Sequence, residues 1–169
     1  MATITFKGNP CRTSGNLPAI GSTVPKFDLV GSDLGQRTLA SFSGKNIVLS
    51  IFPSIDTGVC AASVRNFNKA VGENDQTKVV NVSMDLPFAH KRFCENEGLK
   101  HVVNLSAFRS PAFGKDYGVR IEDGPLKGLL ARAVVVINPQ GEVVYTELVP
   151  EIAQEPDYQA ALSSIEQIA

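Results

Sequence analysis

Two continuous apolar segments lie in the middle of the chain, and the residues between them recur with helical periodicity. NIVLSIFPS and KVVNVSMD have the length and composition of strands that are buried on both faces of a sheet. Between them, Val64, Phe67 and Val71 recur at helical spacing, which predicts a helix over about 57–72. Parallel strands joined through a helix need a right-handed crossover. The chain is therefore predicted to be an α/β protein with a partly parallel sheet.

The remaining segments supply further elements. ATITFKG is predicted to be a strand, and KFDLVG and RTLAS a hairpin around the turn SDLGQ. The later predicted elements are a helix in PFAHKRFCENEG that ends at Gly98, a strand in HVVNLS, a short helix in SPAFGKDYGV, two antiparallel strands in RAVVVINPQGEVVYTELV, and a last helix in EPDYQAALSSIEQI with Pro156 in its first turn.

Composition limits the class of protein. The 169 residues are predicted to form a single domain over 1–169, long enough to bury a full core. A formal net charge of −1 argues against nucleic acid as a partner. The apolar run in LLARAVVVI is broken by Arg132 and is far shorter than the roughly 20 residues that cross a membrane. The amino terminus lacks the apolar core of a secretory signal, so we expect a cytoplasmic protein with no membrane partner.

One of three cysteines follows a predicted strand within FPSIDTGVC, residues 52–60. If the helix begins near Thr57, Cys60 lies in its first turn, where free N–H groups and the helix dipole favour a thiolate. Asp56 or Thr57 could cap this helix. The Asp56 carboxylate would oppose ionisation, so a cation is needed nearby. The alternative from these residues alone is an ordinary buried cysteine behind a common helix cap.

Longer motifs carry a resemblance to a known family. PSIDTGVC matches the Pro-x-x-x-Thr-x-x-Cys signature of peroxiredoxins. FPSIDTGVCAASVRNFN resembles the bacterial thiol peroxidase subfamily, an atypical two-cysteine kind, and DLPFAHKRFCENEGL, DGPLKGLLARAVVVI and EPDYQAAL follow in the same order. The resemblance implies a thioredoxin-like α/β fold: a central mixed β-sheet flanked by helices, with an N-terminal β-hairpin extension.

The resemblance also implies a chemistry and its residues. Cys60 would be the peroxidatic cysteine, whose thiolate attacks a hydroperoxide and becomes a sulfenic acid. Pro53 would shield the thiolate, the Thr57 hydroxyl would bond the thiolate and the peroxide oxygens, and Arg132 would supply the cation. Cys94 would be the resolving cysteine, forming a Cys60–Cys94 disulfide in the same chain.

The same family implies partners. Hydroperoxides, alkyl hydroperoxides and hydrogen peroxide among them, would be the substrates, reduced to alcohol and water in antioxidant defence without metal, haem or flavin. Thioredoxin would restore the dithiol, and the protein would be a homodimer. Phe52 and Ile55 suggest an apolar pocket for an alkyl group. Because both reactive cysteines fall in predicted helices, we expect local unwinding around each on oxidation.

Other readings stay open at this stage. CAAS, from Cys60 to Ser63, could be a Cys-x-x-Ser motif of a disulfide exchange protein. His90 and Cys94 share a helical face, but two ligands are too few for a structural zinc site. The same thiol chemistry would also suit a redox sensor that captures a partner protein. Cys11 fits neither catalytic role and is expected to be a spectator.

Overall fold

The structure, a computed structural model, describes residues 1–72 and 74–168. The strands are β1 Thr3–Phe6, β2 Asn9–Arg12, β3 Asp28–Gly31, β4 Gln36–Thr38, β5 Asn46–Ile51, β6 Thr77–Ser83, β7 Val102–Ser106, β8 Ala133–Ile137 and β9 Val143–Leu148. The helices are α1 Gly58–Val71, α2 Pro87–Glu97, α3 Pro111–Asp116 and α4 Tyr158–Glu166. The expected elements are thus present, including the helix after NIVLSIFPS, except that the strand expected over RTLAS ends at Thr38 and a 3-10 helix, Leu39–Phe42, follows it.

Seven strands form one mixed sheet in the order β4-β3-β7-β6-β5-β8-β9. β5, β6 and β7 run parallel and are joined by α1 and α2, whereas β3, β4, β8 and β9 run antiparallel to their neighbours. The central strands are continuous apolar runs because helices or loops cover both faces of the sheet. This confirms the expected mixed sheet.

Alternate residues of the central strands pack on opposite faces. Val48, Val79 and Val134 pack on one face together with Phe67 of α1 and Ala161 of α4. On the other face, residues such as Leu49, Val80 and Val135 pack with Phe113 of α3 and with the amino-terminal segment. Helices therefore flank both faces, as expected.

A separate two-stranded sheet forms the amino-terminal hairpin. β1 and β2 pair antiparallel around Lys7 and Gly8, which both have positive φ, at 51° and 81°. Positive φ at both central residues is the geometry that a tight two-residue hairpin requires. The hairpin extension is confirmed, although the residues NPCR have no pattern that predicts a strand at β2. The edge of β1 bonds to the segment after β9, through Thr5 N to Pro150 O at 2.8 Å.

Two further observations complete the fold. α4 begins at Tyr158, later than expected: Asp157 caps it by accepting from Ala160 N at 3.0 Å, so Pro156 precedes the cap and the prediction that it lies in the first turn was wrong. Among residues 1–72 and 74–168, no helix is long and apolar enough to cross a membrane.

Gly118 is a position where the fold depends on a missing side chain. Its φ is +69°, and a Cβ there would lie 2.2 Å from the backbone oxygen of Asn16. We expect Gly118→Ala to lower the free energy of unfolding by at least about 3 kcal/mol, because an L-residue is strained there and the Asn16 backbone must also move.

Thermal and denaturant unfolding measure this effect. Gly44→Ala is the matched control, since Gly44 has φ +79° and nothing within 4 Å of the added Cβ. It should cost only about 1–2 kcal/mol from backbone conformation. Equal losses in the two variants would contradict the steric explanation.

Candidate active site

Cys60 lies in the first turn of α1, as expected. Thr57 is the N-cap: its Oγ1 accepts from the Cys60 N–H at 3.4 Å, and its C=O accepts the first helical bond from Ala61 at 3.0 Å. The Cys60 side chain is 0% exposed and packs with Phe52, Ile55 and Val64. The thiol is therefore held at the positive end of a 14-residue helix, in an apolar surround.

Arg132 reaches this thiol because of the sheet register. Ala133 at the start of β8 pairs with Ile51 at the end of β5, so Arg132 lies beside the loop that leads into α1. Its Nη2 donates to Cys60 Sγ at 3.0 Å, and its Nε donates to Ile152 O at 2.8 Å. The two residues meet across 72 positions of sequence.

Arg132 is 2% exposed, so its positive charge must be stabilised by neighbouring groups of the protein and not by water. Burying a cation costs several kcal/mol unless a negative group compensates it. Within the described ranges its two hydrogen-bond partners are the Ile152 carbonyl and the Cys60 sulfur, so the cation lies directly against the thiol. Its Nη1 is buried with no hydrogen-bond partner among the same residues. One donor is thus left for a bound oxygen atom.

A cavity of about 300 Å³ lies on the Arg132 side of this pair: Arg132, Pro53 and Thr57 line it, whereas the buried Cys60 does not. Its apolar walls are Phe6, Val59, Leu126, Leu129 and Ile152. The prediction that Phe52 and Ile55 line the pocket was wrong, because both are buried behind Cys60, at 0% and 2% exposure. The walls come instead from the hairpin and the later loops, which no local pattern places here.

Pro53 lies where a residue that shields Cys60 is expected, whereas the Thr57 hydroxyl does not make the expected bond to the Cys60 sulfur. Pro53 is buried and lines the cavity, as a residue shielding the thiolate should. The Thr57 hydroxyl donates to Ser54 O at 3.1 Å, so its proton points at the backbone and not at the Cys60 sulfur. Thr57 therefore organises the turn in this structure, and its hydroxyl must rotate to bond a substrate.

A buried carboxylate that sequence reasoning missed holds the segment before α1. Asp85 follows β6, and its carboxylate accepts from Ser54 Oγ and the Ile55 N–H, both at 2.7 Å, and from Ser83 Oγ at 2.6 Å. Because the Ser83 hydroxyl has one proton, His90 Nε2 is the donor in its 2.7 Å contact with Ser83 Oγ. The only signal in the sequence was an aspartate just past a buried parallel strand.

These contacts set the charge of Asp85. Burial alone would raise its pKa, but the hydrogen bonds from His90, Ser83, Ile55 and Ser54 outweigh burial and lower the pKa from 3.8 to about 2. The carboxylate therefore stays charged at every physiological pH and ties the Cys60 loop to β6 and α2.

The other two cysteines have different surroundings. Cys94 lies in α2, where its Sγ accepts from Asn104 Nδ2 at 2.8 Å, and it lines a second cavity of about 520 Å³. Its neighbour Phe93 packs on the cluster that contains Cys60. Cys11 is buried in β2, and burial, followed by Asp123 and Glu151, raises the pKa of its thiol. All three cysteines are free thiols.

His90 and Cys94 do not converge on a common site. His90 bonds to Ser83, whereas Cys94 bonds to Asn104. Across the part of the chain that the structure describes, no three His, Cys, Asp or Glu side chains are placed to hold a metal ion.

The chain is similar to known proteins along almost its whole length. A family model described as Redoxin matches residues 19–162. A thiol peroxidase from Mycobacterium tuberculosis is 57% identical over 165 residues, covering 98% of this chain and 99% of the relative. One from Corynebacterium glutamicum is 52% identical over 98% of this chain and 99% of its own. The crystal structure of a peroxiredoxin-like protein from Aquifex aeolicus has a TM-score of 0.94 at 38% identity, covering 100% of this chain and 98% of that one.

The chain therefore belongs to the thiol peroxidases, a class of peroxiredoxin within the redoxin family. The thioredoxin-like fold class expected from the motifs is confirmed, and so is an oxidoreductase that acts as a thiol-dependent peroxidase. This membership favours the peroxidase over the Cys-x-x-Ser exchange protein.

The contact between Arg132 and Cys60 gives a first test of the site. Arg132→Gln removes the charge, and because the glutamine side chain is shorter it also withdraws the donor from the Cys60 sulfur. We expect Cys60 to react with an alkyl hydroperoxide about 10²–10³-fold more slowly at neutral pH. Stopped-flow kinetics under single-turnover conditions measure this rate.

Arg12→Gln is the control, because Arg12 forms an exposed ion pair with Asp123 on the hairpin. It should react at the normal rate. An Arg132→Gln protein that is folded and equally fast would show that the cation does not assist Cys60.

The lowered pKa of Asp85 predicts that the free energy of unfolding depends on pH. A carboxylate whose folded pKa is lowered stabilises the fold above its unfolded pKa, and this contribution disappears as pH falls from about 4 to about 2. The shift corresponds to about 2 kcal/mol. Asp85→Asn should therefore unfold more easily at neutral pH and show a flatter stability profile between pH 4 and 2.

Denaturant titration across that range checks the stability change, and amide exchange at Ile55, whose acceptor loses its negative charge, checks the location. Asp75→Asn, on an exposed turn, is the control. Unchanged exchange at Ile55 in Asp85→Asn would contradict the tether.

Proposed function

We propose that this protein reduces hydroperoxides to alcohol and water with Cys60 as the peroxidatic and Cys94 as the resolving cysteine. The observation that carries the proposal is the 3.0 Å contact between Arg132 Nη2 and Cys60 Sγ, together with the unpaired Nη1 beside it. A buried guanidinium can stabilise both an attacking thiolate and the negative charge on a leaving oxygen.

The first step needs a thiolate, a peroxide and a proton. The Cys60 thiolate attacks the terminal peroxide oxygen, the O–O bond breaks, and an alkoxide or hydroxide leaves and takes a proton. Cys60 becomes a sulfenic acid. Arg132 Nη1 would donate to the leaving oxygen, Pro53 would limit access of water, and a rotated Thr57 hydroxyl would orient the peroxide.

The walls of the 300 Å³ cavity support alkyl hydroperoxides as substrates beside hydrogen peroxide. Phe6, Leu126 and Ile152 line the cavity next to Arg132, so an alkyl group would lie on apolar surface while the peroxide lies at the guanidinium. Lys7 at the rim would remain in solvent.

In the second step the Cys94 thiolate attacks the sulfenic sulfur, hydroxide leaves and is protonated, and a Cys60–Cys94 disulfide forms. Cys60 is 0% exposed in a helical turn and Cys94 faces another cavity, so the helices must rearrange before the two sulfurs can bond. Phe93 is the side chain that must move, because it packs on the Cys60 cluster. We infer local unwinding of residues 57–64 and 90–97 on oxidation.

A dithiol protein of the thioredoxin kind would restore the two thiols by disulfide exchange. The cytoplasm is the compartment we propose, because disulfides there are transient and catalytic. We also propose a homodimer, which is supported by exposed apolar side chains at the start of α2, where Leu86 is 51% and Phe88 65% exposed.

Three cysteine variants and one equivalent of cumene hydroperoxide test the mechanism by mass spectrometry. The unchanged protein should lose two hydrogens and yield a Cys60–Cys94 peptide. Cys60→Ser should consume no peroxide. Cys94→Ser should consume about one equivalent, give a sulfenic acid that dimedone traps, and fail to turn over with thioredoxin.

Cys11→Ser is the matched control and should cycle normally, since its thiol is buried away from the cavity. Peroxide consumption by Cys60→Ser would place the nucleophile elsewhere. Normal turnover by Cys94→Ser with thioredoxin would remove Cys94 from the mechanism. Capture of one protein partner without turnover would favour a redox sensor.

A further inference from the structure

Two buried asparagines lie in register on neighbouring strands of the sheet. Asn81 of β6 pairs with Asn104 of β7, and the two side chains are 0% and 6% exposed. Of the two adjacent register pairs on the same face, one is Val79 and Val102 and the other is Ser83 and Ser106. Valine would fill these positions without burying amides, so the asparagines need a reason other than packing.

The amide orientations follow from the hydrogen bonds. Asn81 Nδ2 donates to Asn104 Oδ1 at 3.1 Å, and Asn104 Nδ2 donates to Cys94 Sγ at 2.8 Å. With Asn81 in this orientation, a flip of Asn104 alone would set two NH₂ groups against each other, so Asn81 favours the orientation in which Asn104 donates to the sulfur. The chain Asn81–Asn104–Cys94 therefore links the sheet to α2.

We propose that Asn104, oriented by Asn81, is a positioning residue that stabilises reduced Cys94 and thereby sets the balance between dithiol and disulfide. The inference deepens the proposed function and rests on Cys94 being the resolving cysteine. The contact exists only while Cys94 is a thiol in folded α2, because Cys94 must leave Asn104 to bond Cys60. An interaction made only in the reduced form makes the disulfide easier to reduce.

The donor also acts on the charge of Cys94. An amide N–H bonds a thiolate more strongly than a thiol, so it favours the Cys94 anion while Cys94 lies in folded α2. Burial raises the pKa of Cys94, and the Asn104 hydrogen bond partly opposes this.

The charged groups in the surrounding cavity are arranged largely in pairs. Asp33 pairs with Arg37 at 2.7 Å, Lys91 pairs with Glu95 at 4.0 Å, and Lys100 also lines the cavity. These side chains lie toward solvent, where screening weakens their effect on the sulfur. Asn104 is the group that bonds the sulfur directly.

Asn104→Leu removes the donor and keeps the side-chain volume. In a Cys11→Ser, Cys60→Ser background Cys94 is the sole thiol, and its alkylation by iodoacetamide is followed by mass spectrometry against pH. We expect the rise in rate to move to higher pH, with alkylation about 3- to 10-fold slower at pH 7. If the substitution changed only how easily iodoacetamide reaches Cys94, the alkylation rate would change by the same factor at every pH. The midpoint of the pH profile would then stay where it is.

The second measurement uses the protein with all its cysteines in glutathione redox buffers. Asn104→Leu should shift the equilibrium about 3- to 10-fold toward the Cys60–Cys94 disulfide, since the reduced form loses its hydrogen bond. Asn81→Leu, which frees the Asn104 amide to rotate, should shift both readouts in the same direction and by less.

Val79→Ala is the control, because it opens a cavity on the same sheet face without touching the Asn104–Cys94 bond. It should leave both readouts unchanged. An Asn104→Leu protein with the unchanged alkylation midpoint and redox equilibrium would overturn the inference. Absence of any Cys60–Cys94 disulfide in the unchanged protein would instead contradict the proposed function. The alkylation profile of Cys94 does not depend on that disulfide, so the two failures can be told apart.

Discussion

The buried contact between a guanidinium and a thiol is the interaction on which the rest of the site depends. Arg132 is almost fully buried, and its hydrogen-bond partners among the described residues are the Cys60 sulfur and the Ile152 carbonyl. Cys60 thus lies against a cation in an otherwise apolar surround. The remaining features of the site keep these two groups together: the Thr57 cap, the Arg132 bond to Ile152 O, and the apolar walls that exclude water.

Asp85 extends this constraint to the second cysteine. Its carboxylate bonds Ser54 and Ile55 in the loop before α1, and through Ser83 it is linked to His90 of α2. The helices that carry Cys60 and Cys94 are thus tied to the end of the same strand, β6. In the proposed mechanism, a rearrangement that brings the two sulfurs together would loosen the contacts that hold the loop before α1. The same contacts would have to persist while Cys60 reacts with peroxide and give way while the disulfide forms.

Local patterns predicted most of the fold because each element carries its own signal. Continuous apolar strands, the spacing of Val64, Phe67 and Val71, and the helix end at Gly98 all follow from short-range chemistry. Local patterns failed where contacts with distant segments or competition between neighbouring residues decide the structure. The residues of β2 have no pattern that predicts a strand. Pro156 precedes α4 because Asp157 is the better N-cap. Phe52 and Ile55 are apolar enough for a pocket wall, but both are buried in the cluster that contains Cys60 and Val64.

The sequence by itself determined the α/β order of elements, a cysteine in the first turn of a helix, and the motifs that single out Pro53, Thr57, Cys94 and Arg132. Only the tertiary structure decided that Arg132 bonds Cys60, that Asp85 holds the loop, that the hairpin and later loops wall the cavity, and that Asn104 bonds Cys94. The physical reason is the separation along the sequence over which the interactions act. Turns, caps and periodicity depend on neighbours a few residues away, whereas these contacts join segments whose meeting is set by sheet register and packing.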